Sequence, residues 1–96
     1  MIQNAGTTIL TASGVVGISG KPTRVFCVNV HSGATAGNAT FKDGTTAAGT
    51  AGPAHLGTIN QGVTFPWPTP GFYFPSGCYA SFDANVTRCV ISYNHP

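Results

Sequence analysis

Thirteen glycines and seven prolines are spread so evenly along this chain that only residues 78–95 run beyond a dozen positions without one. That stretch carries its own turn signal, Asp83-Ala84-Asn85. In a helix interior glycine costs about 1 kcal/mol and proline about 3 kcal/mol relative to alanine. A helix of ordinary length therefore has almost nowhere to form.

The residues between these breaks favour strands. Val, Ile, Thr, Tyr, Phe and Trp supply 36 of the 96 residues, the types whose branched or flat side chains suit a pleated surface. Leu, Glu, Lys, Gln, Arg and Met supply nine, with no glutamate among them. Length and composition predict one domain, residues 1–96, that can bury a modest core. Strand-like runs recur every 8–12 residues or so, the spacing of a sandwich or barrel. They lie near 7–11, 14–19, 23–31, 38–42, 45–50, 56–60, 62–66, 71–74, 77–83 and 86–93. The expected fold is an all-β, two-layer antiparallel sandwich.

Two hairpins stand out. Lys42-Asp43-Gly44-Thr45 sets Asp-Gly between β-rich flanks, which suits a type I′ turn. The second hairpin joins 77–83 to 86–93 around Ala84-Asn85, so that Phe82 faces Thr87, Ala80 faces Cys89 and Cys78 faces Ile91. Cys78, Ala80, Phe82, Cys89, Ile91 and Tyr93 then share one side, the expected core face. Strand 23–31 is apolar on both sides and belongs in the centre, with Phe26, Val28 and Val30 pointing inward. The segment 65–75, rich in proline, suits an edge or an extended crossing.

Charged residues make up 6% of the chain, against about 25% in ordinary domains. The exterior must be Thr, Ser, Asn, Ala and Gly, either as a neutral hydroxyl-rich surface or because much of it faces other subunits. Four separated basic residues do not make a nucleic-acid footprint. No apolar run approaches the length of a membrane helix. The opening MIQNAGTTIL has neither the basic nor the long apolar region of a secretory signal. With three cysteines, Cys27, Cys78 and Cys89, the expectation is synthesis in a reducing cytoplasm.

Catalytic equipment is sparse. The two acids, Asp43 and Asp83, sit in turns, where aspartate bonds to nearby backbone. His31, His55 and His95 are scattered: one at a strand end, one in the loop Gly52–Gly57, one beside the C-terminus. No nucleophile elbow or phosphate loop occurs. The cysteines lack zinc spacing and read as buried thiols, although Cys78 and Cys89 are diagonal neighbours in the expected hairpin. No enzyme, cofactor or metal is expected. Trp67, Tyr73 and Tyr79 are the candidate contact residues, as a stacking platform for sugars or as aromatics that cap the sandwich or meet a partner subunit.

Gly33-Ala34-Thr35-Ala36-Gly37, then Ala39-Thr40-Phe41-Lys42-Asp43-Gly44-Thr45, and later Phe72-Tyr73-Phe74-Pro75-Ser76-Gly77-Cys78-Tyr79-Ala80 form a further pattern. Over residues 22–93 it resembles small virion proteins of tailed bacteriophages, in particular capsid decoration (cement) proteins with jelly-roll sandwiches. The resemblance implies a protein on the capsid surface of the virion, made in the host cytoplasm. It further implies a homo-oligomer, often a trimer, that clamps the major capsid protein, and it carries no catalytic residue. The alternative reading is a tail or fibre module that recognises a host glycan or receptor through Trp67 and Tyr73.

Overall fold

The computed structural model describes residues 5–57, 62–66 and 71–96. Among these there are nine strands and no helix. They are β1 (Ala5–Leu10), β2 (Gly14–Val16), β3 (Thr23–Ser32), β4 (Gly37–Asp43), β5 (Thr50–Gly57), β6 (Gly62–Pro66), β7 (Phe72–Phe74), β8 (Cys78–Phe82) and β9 (Val86–Asn94). Two antiparallel sheets form. The first has the order β1-β9-β3-β6, with β7 also paired to β3; the second has the order β2-β8-β4-β5.

The pairs are nested: β1 with β9, β2 with β8, β3 with β7 and β6, β4 with β5. Such nesting describes one long antiparallel hairpin, with its tip between β4 and β5, rolled so that successive pairs alternate between two sheets. This is the jelly-roll arrangement, which covers the apolar face of each sheet with the other.

Between the sheets lies a single cluster that includes Val16, Val28, Val30, Phe41, Phe74 and Ile91, each fully buried. Val28, Val30, Cys89 and Ile91 are core residues, as expected from sequence. Phe26 is not, and the ladder shows why. Val25 pairs with Tyr93 and Cys27 with Ser92, which leaves Phe26 as an inserted residue. Such a bulge shifts the inward positions by one. Thr23 and Val25 point inward before it, Val28 and Val30 after it. Phe82 packs against the cluster but is only partly buried.

The expected hairpin of residues 77–83 with 86–93 does not form. β8 pairs with β2 and β4, whereas β9 pairs with β1 and β3. Asp83-Ala84-Asn85 instead carries the chain from one sheet to the other. Its inward residues were correctly sorted because both strands face the same core, from opposite sides.

The expected Asp43-Gly44 two-residue turn is also absent. The last β4–β5 pair is Asp43 with Thr50, so six residues close the loop, and 45–50 is not a strand. Tertiary bonds divert the turn. The Ser76 amide donates to Asp43 Oδ1 at 2.8 Å, and the Gly44 amide donates to the Gly77 carbonyl at 2.9 Å. β5 then begins earlier than expected and includes His55, which sequence placed in a loop. Proline 53 is tolerated there because β5 is an edge strand. Gly52 and Pro53 together oppose Phe41 in a second bulge. Of the expected strand at 56–60, residues 58–60 lie outside the described residues.

His95 ties the connection after β2 to the end of β9. Its Nε2 accepts from the Ile18 amide at 3.1 Å, and its Nδ1 lies 2.9 Å from the Pro22 carbonyl. An amide only donates and a carbonyl only accepts, so the imidazole is neutral with its proton on Nδ1. The ring is 5% exposed and meets Tyr93 edge-on at 5.2 Å. His95→Ala leaves a donor and an acceptor unpaired, with an expected cost of about 1–3 kcal/mol. Urea unfolding measures that cost, and faster hydrogen exchange at the Ile18 amide should accompany it. Unchanged exchange there would show that other contacts hold this connection.

Candidate functional site

Each sheet turns one face to the core and one outward, so the strand register decides which side chains a partner can meet. On β7, Phe74 is buried opposite Thr23, which sets Tyr73 outward opposite Arg24. Tyr73 is 42% exposed, and the Arg24 guanidinium lies over its ring at 5.0 Å. A cation–π contact of this exposed kind contributes about 0.5–1 kcal/mol.

Tyr79 lies elsewhere. Cys78 and Ala80 point into the core from β8, so the half-buried Tyr79 faces outward between Val15 and Lys42. Tyr73 and Tyr79 therefore occupy outer faces of opposite sheets, and the structure does not bring them together into one platform. Trp67, the third expected contact residue, lies outside the described residues.

The outer face of the second sheet is nearly uncharged. Thr40, Ala54, Leu56, Tyr79 and Ser81 cover it around Lys42, and Leu56 is 55% exposed. On the first sheet, Ile9 stands outward on β1 opposite Val90 and is also well exposed. A surface with so few charges needs little desolvation of ions when it meets another neutral surface.

The two acids are occupied by backbone. Besides the Ser76 contact, Asp83 Oδ2 accepts from the Asn38 amide and Oδ1 from the Asn85 amide, each at 2.9 Å. Both carboxylates thus serve turns and crossings, in line with the sequence reading, although the Asp43 partner lies 33 positions away. Among the described residues, no group of three or more His, Cys, Asp or Glu side chains is arranged to hold a metal ion. His55 points inward from the edge strand β5, its ring centroid 6.0 Å from that of Phe41. Burial lowers its pKa from the ordinary histidine value, which favours the neutral ring.

All three cysteines are free thiols. Burial pushes Cys78 up to about 12, with a further push from the Asp43 charge, and burial alone pushes Cys89 up to about 12. A folded value above the unfolded one means that the unfolded chain ionises first. The stability these thiols contribute is therefore intact below about 9, the ordinary value of a thiol in the unfolded chain, and falls as pH rises towards about 12. The thiolate is the reactive form, so iodoacetamide at mildly alkaline pH should label Cys27, which is partly exposed, in the folded protein. All three should react after unfolding, as counted by mass spectrometry. Labelling of Cys78 or Cys89 in the folded state at the rate of Cys27 would contradict their burial.

Sequence reasoning did not find a polar cleft at one end of the first sheet, lined by Thr11, His31, Ser32, Thr87 and Arg88. Its residues come from three strand ends that only the register brings together, and no local motif marks them. Comparison of the chain with protein-family models, curated proteins and solved structures found no match.

Proposed function

We propose that this chain is a non-enzymatic virion structural protein, a capsid decoration (cement) protein that binds the major capsid protein and stabilises the head shell. The observation that carries this reading is a jelly roll whose surface carries few charges, the whole chain having only six charged side chains. Jelly rolls recur in viral capsids and in lectins. A domain that must stay freely soluble normally carries a mixed, charged exterior, whereas one that spends its working life against other subunits does not need it.

The edges of the sheets add support. β2 has three residues, β5 carries Pro53 and a bulge, and β6 ends in Pro66, all features that discourage strand addition. β1 is six residues long, pairs with β9 without a break, and contains neither a proline nor a charge. It is the edge best suited to lie against another protein chain. A trimer would hold several such surfaces at once. Linking weak contacts raises their effective concentration and strengthens attachment without new chemistry. Cyclic symmetry would match a local three-fold axis of a shell.

The test mixes purified protein with phage heads that lack it and follows disruption on heating. Saturable binding that raises the disruption temperature is the expected result. Absence of binding to heads, together with binding to host glycans or tails, would replace this reading with that of a tail or fibre recognition module.

A further inference from the structure

The polar cleft on the first sheet, where β1 ends and β9 begins, has a volume of about 340 Å³. An irregularity in the ladder builds it. Val86 pairs with Ser32 and Arg88 with His31, so Thr87 is the extra residue of a bulge. Bulges recur beside binding and active sites because they re-aim side chains that a regular strand would direct elsewhere.

This bulge sets Arg88 directly across from His31, with Nη2 3.4 Å from Nε2. A guanidinium has five N–H donors and no acceptor. Arg88 lines the cleft, and its one long contact with the imidazole uses a single donor. Thr87 Oγ1 donates to the His31 carbonyl at 3.3 Å, which fixes the floor beside the pair. Two basic side chains opposite one another on a ladder repel whenever both are charged. An anion between them would relieve that repulsion.

Within the chain, the two side-chain carboxylates, Asp43 and Asp83, accept from the amides of Ser76, Asn38 and Asn85.

We propose that the Arg88–His31 cleft binds a carboxylate of a partner molecule. A guanidinium and a carboxylate are both planar and dock through two parallel N–H···O bonds. One fixed positive charge also matches a monoanion better than the double charge of a phosphate. The cleft binds this group whether or not the chain sits on a shell, so its test stands apart from the head-binding experiment.

The experiment is an NMR titration of the whole protein with sodium acetate, against sodium chloride at the same ionic strength. Saturable shifts centred on His31 and Arg88, seen with acetate and not with chloride, are the expected result. Arg88→Gln should weaken acetate binding by about tenfold or more, the scale of a charge-assisted hydrogen bond. Arg88→Lys should fall between, because it keeps the charge and loses the fork. Arg88 is exposed, so both variants should melt with the parent protein. Two further probes identify the source. Tighter binding of N-acetylglutamate amide than of glucuronate points to an acidic protein side chain, and the reverse points to a sugar acid. Equal shifts with chloride, or an Arg88→Gln variant that binds acetate as the parent does, overturns the proposal.

Discussion

Phe41→Ala is expected to destabilise the protein by about 3–5 kcal/mol, measured by urea or thermal unfolding. Phe41 has no solvent exposure and is among the largest fully buried side chains. It lies at the centre of β4, where β8 flanks it through Ala80 and the β5 bulge flanks it through Gly52 and Pro53. Truncation removes the apolar contact and leaves a cavity. β4 is held in register on both sides, so it cannot collapse inward to fill it. Phe82→Ala should cost clearly less, because Phe82 is only partly buried at the edge of the same cluster. Equal losses at the two positions would mean that the cluster is centred nearer the β8 end than the structure places it.

Gly71→Ala is expected to cost about 2–5 kcal/mol, from two additive sources. Gly71 has φ = +88°, a region that residues with a Cβ rarely adopt. A methyl group there would also lie 2.5 Å from the Val25 carbonyl oxygen and 3.1 Å from the Phe26 ring. The carbonyl belongs to the central strand beside its bulge and cannot withdraw without breaking the ladder. Gly20→Ala is the control. Gly20 also has positive φ, at +79°, but a Cβ there meets nothing within 4 Å. It should show the conformational cost alone, and a Gly71 variant no worse than it would dispose of the steric argument.

Strand content and spacing were legible in the sequence because they rest on local chemistry. Evenly spaced Gly and Pro forbid helices, and branched residues between them favour strands. The inward face of β8 and β9 was legible for the same reason, since alternation marks one side of a strand as apolar whatever its neighbour. The phase of β3 was not. Thr-Arg-Val-Phe-Cys-Val-Asn-Val carries apolar residues on both sides, and only the pairing with β9 reveals that Phe26 is inserted and the inward set changes there.

The candidate contact residues divide in the same way. Composition singled out Tyr73 and Tyr79 as the aromatics to watch but had no means to say that the sheets hold them on opposite outer faces. The cleft of Arg88 and His31 was invisible for a stronger reason. Its residues are 57 positions apart and meet only because a bulge aligns two strand ends.

What the sequence determined alone is that this chain is all-β, poor in charge, and apolar on one side of most strands. Those properties follow from side-chain shape and polarity within a few neighbouring residues. The tertiary structure decided which strands pair, which turns stay tight, and which basic groups stand together. Asp43-Gly44 has the chemistry of a tight turn, yet Ser76 and Gly77 bind it and open a six-residue loop. Asp83-Ala84-Asn85 has the chemistry of a hairpin, yet it crosses between sheets, because burying β8 and β9 against opposite sides of one core covers both apolar faces at once.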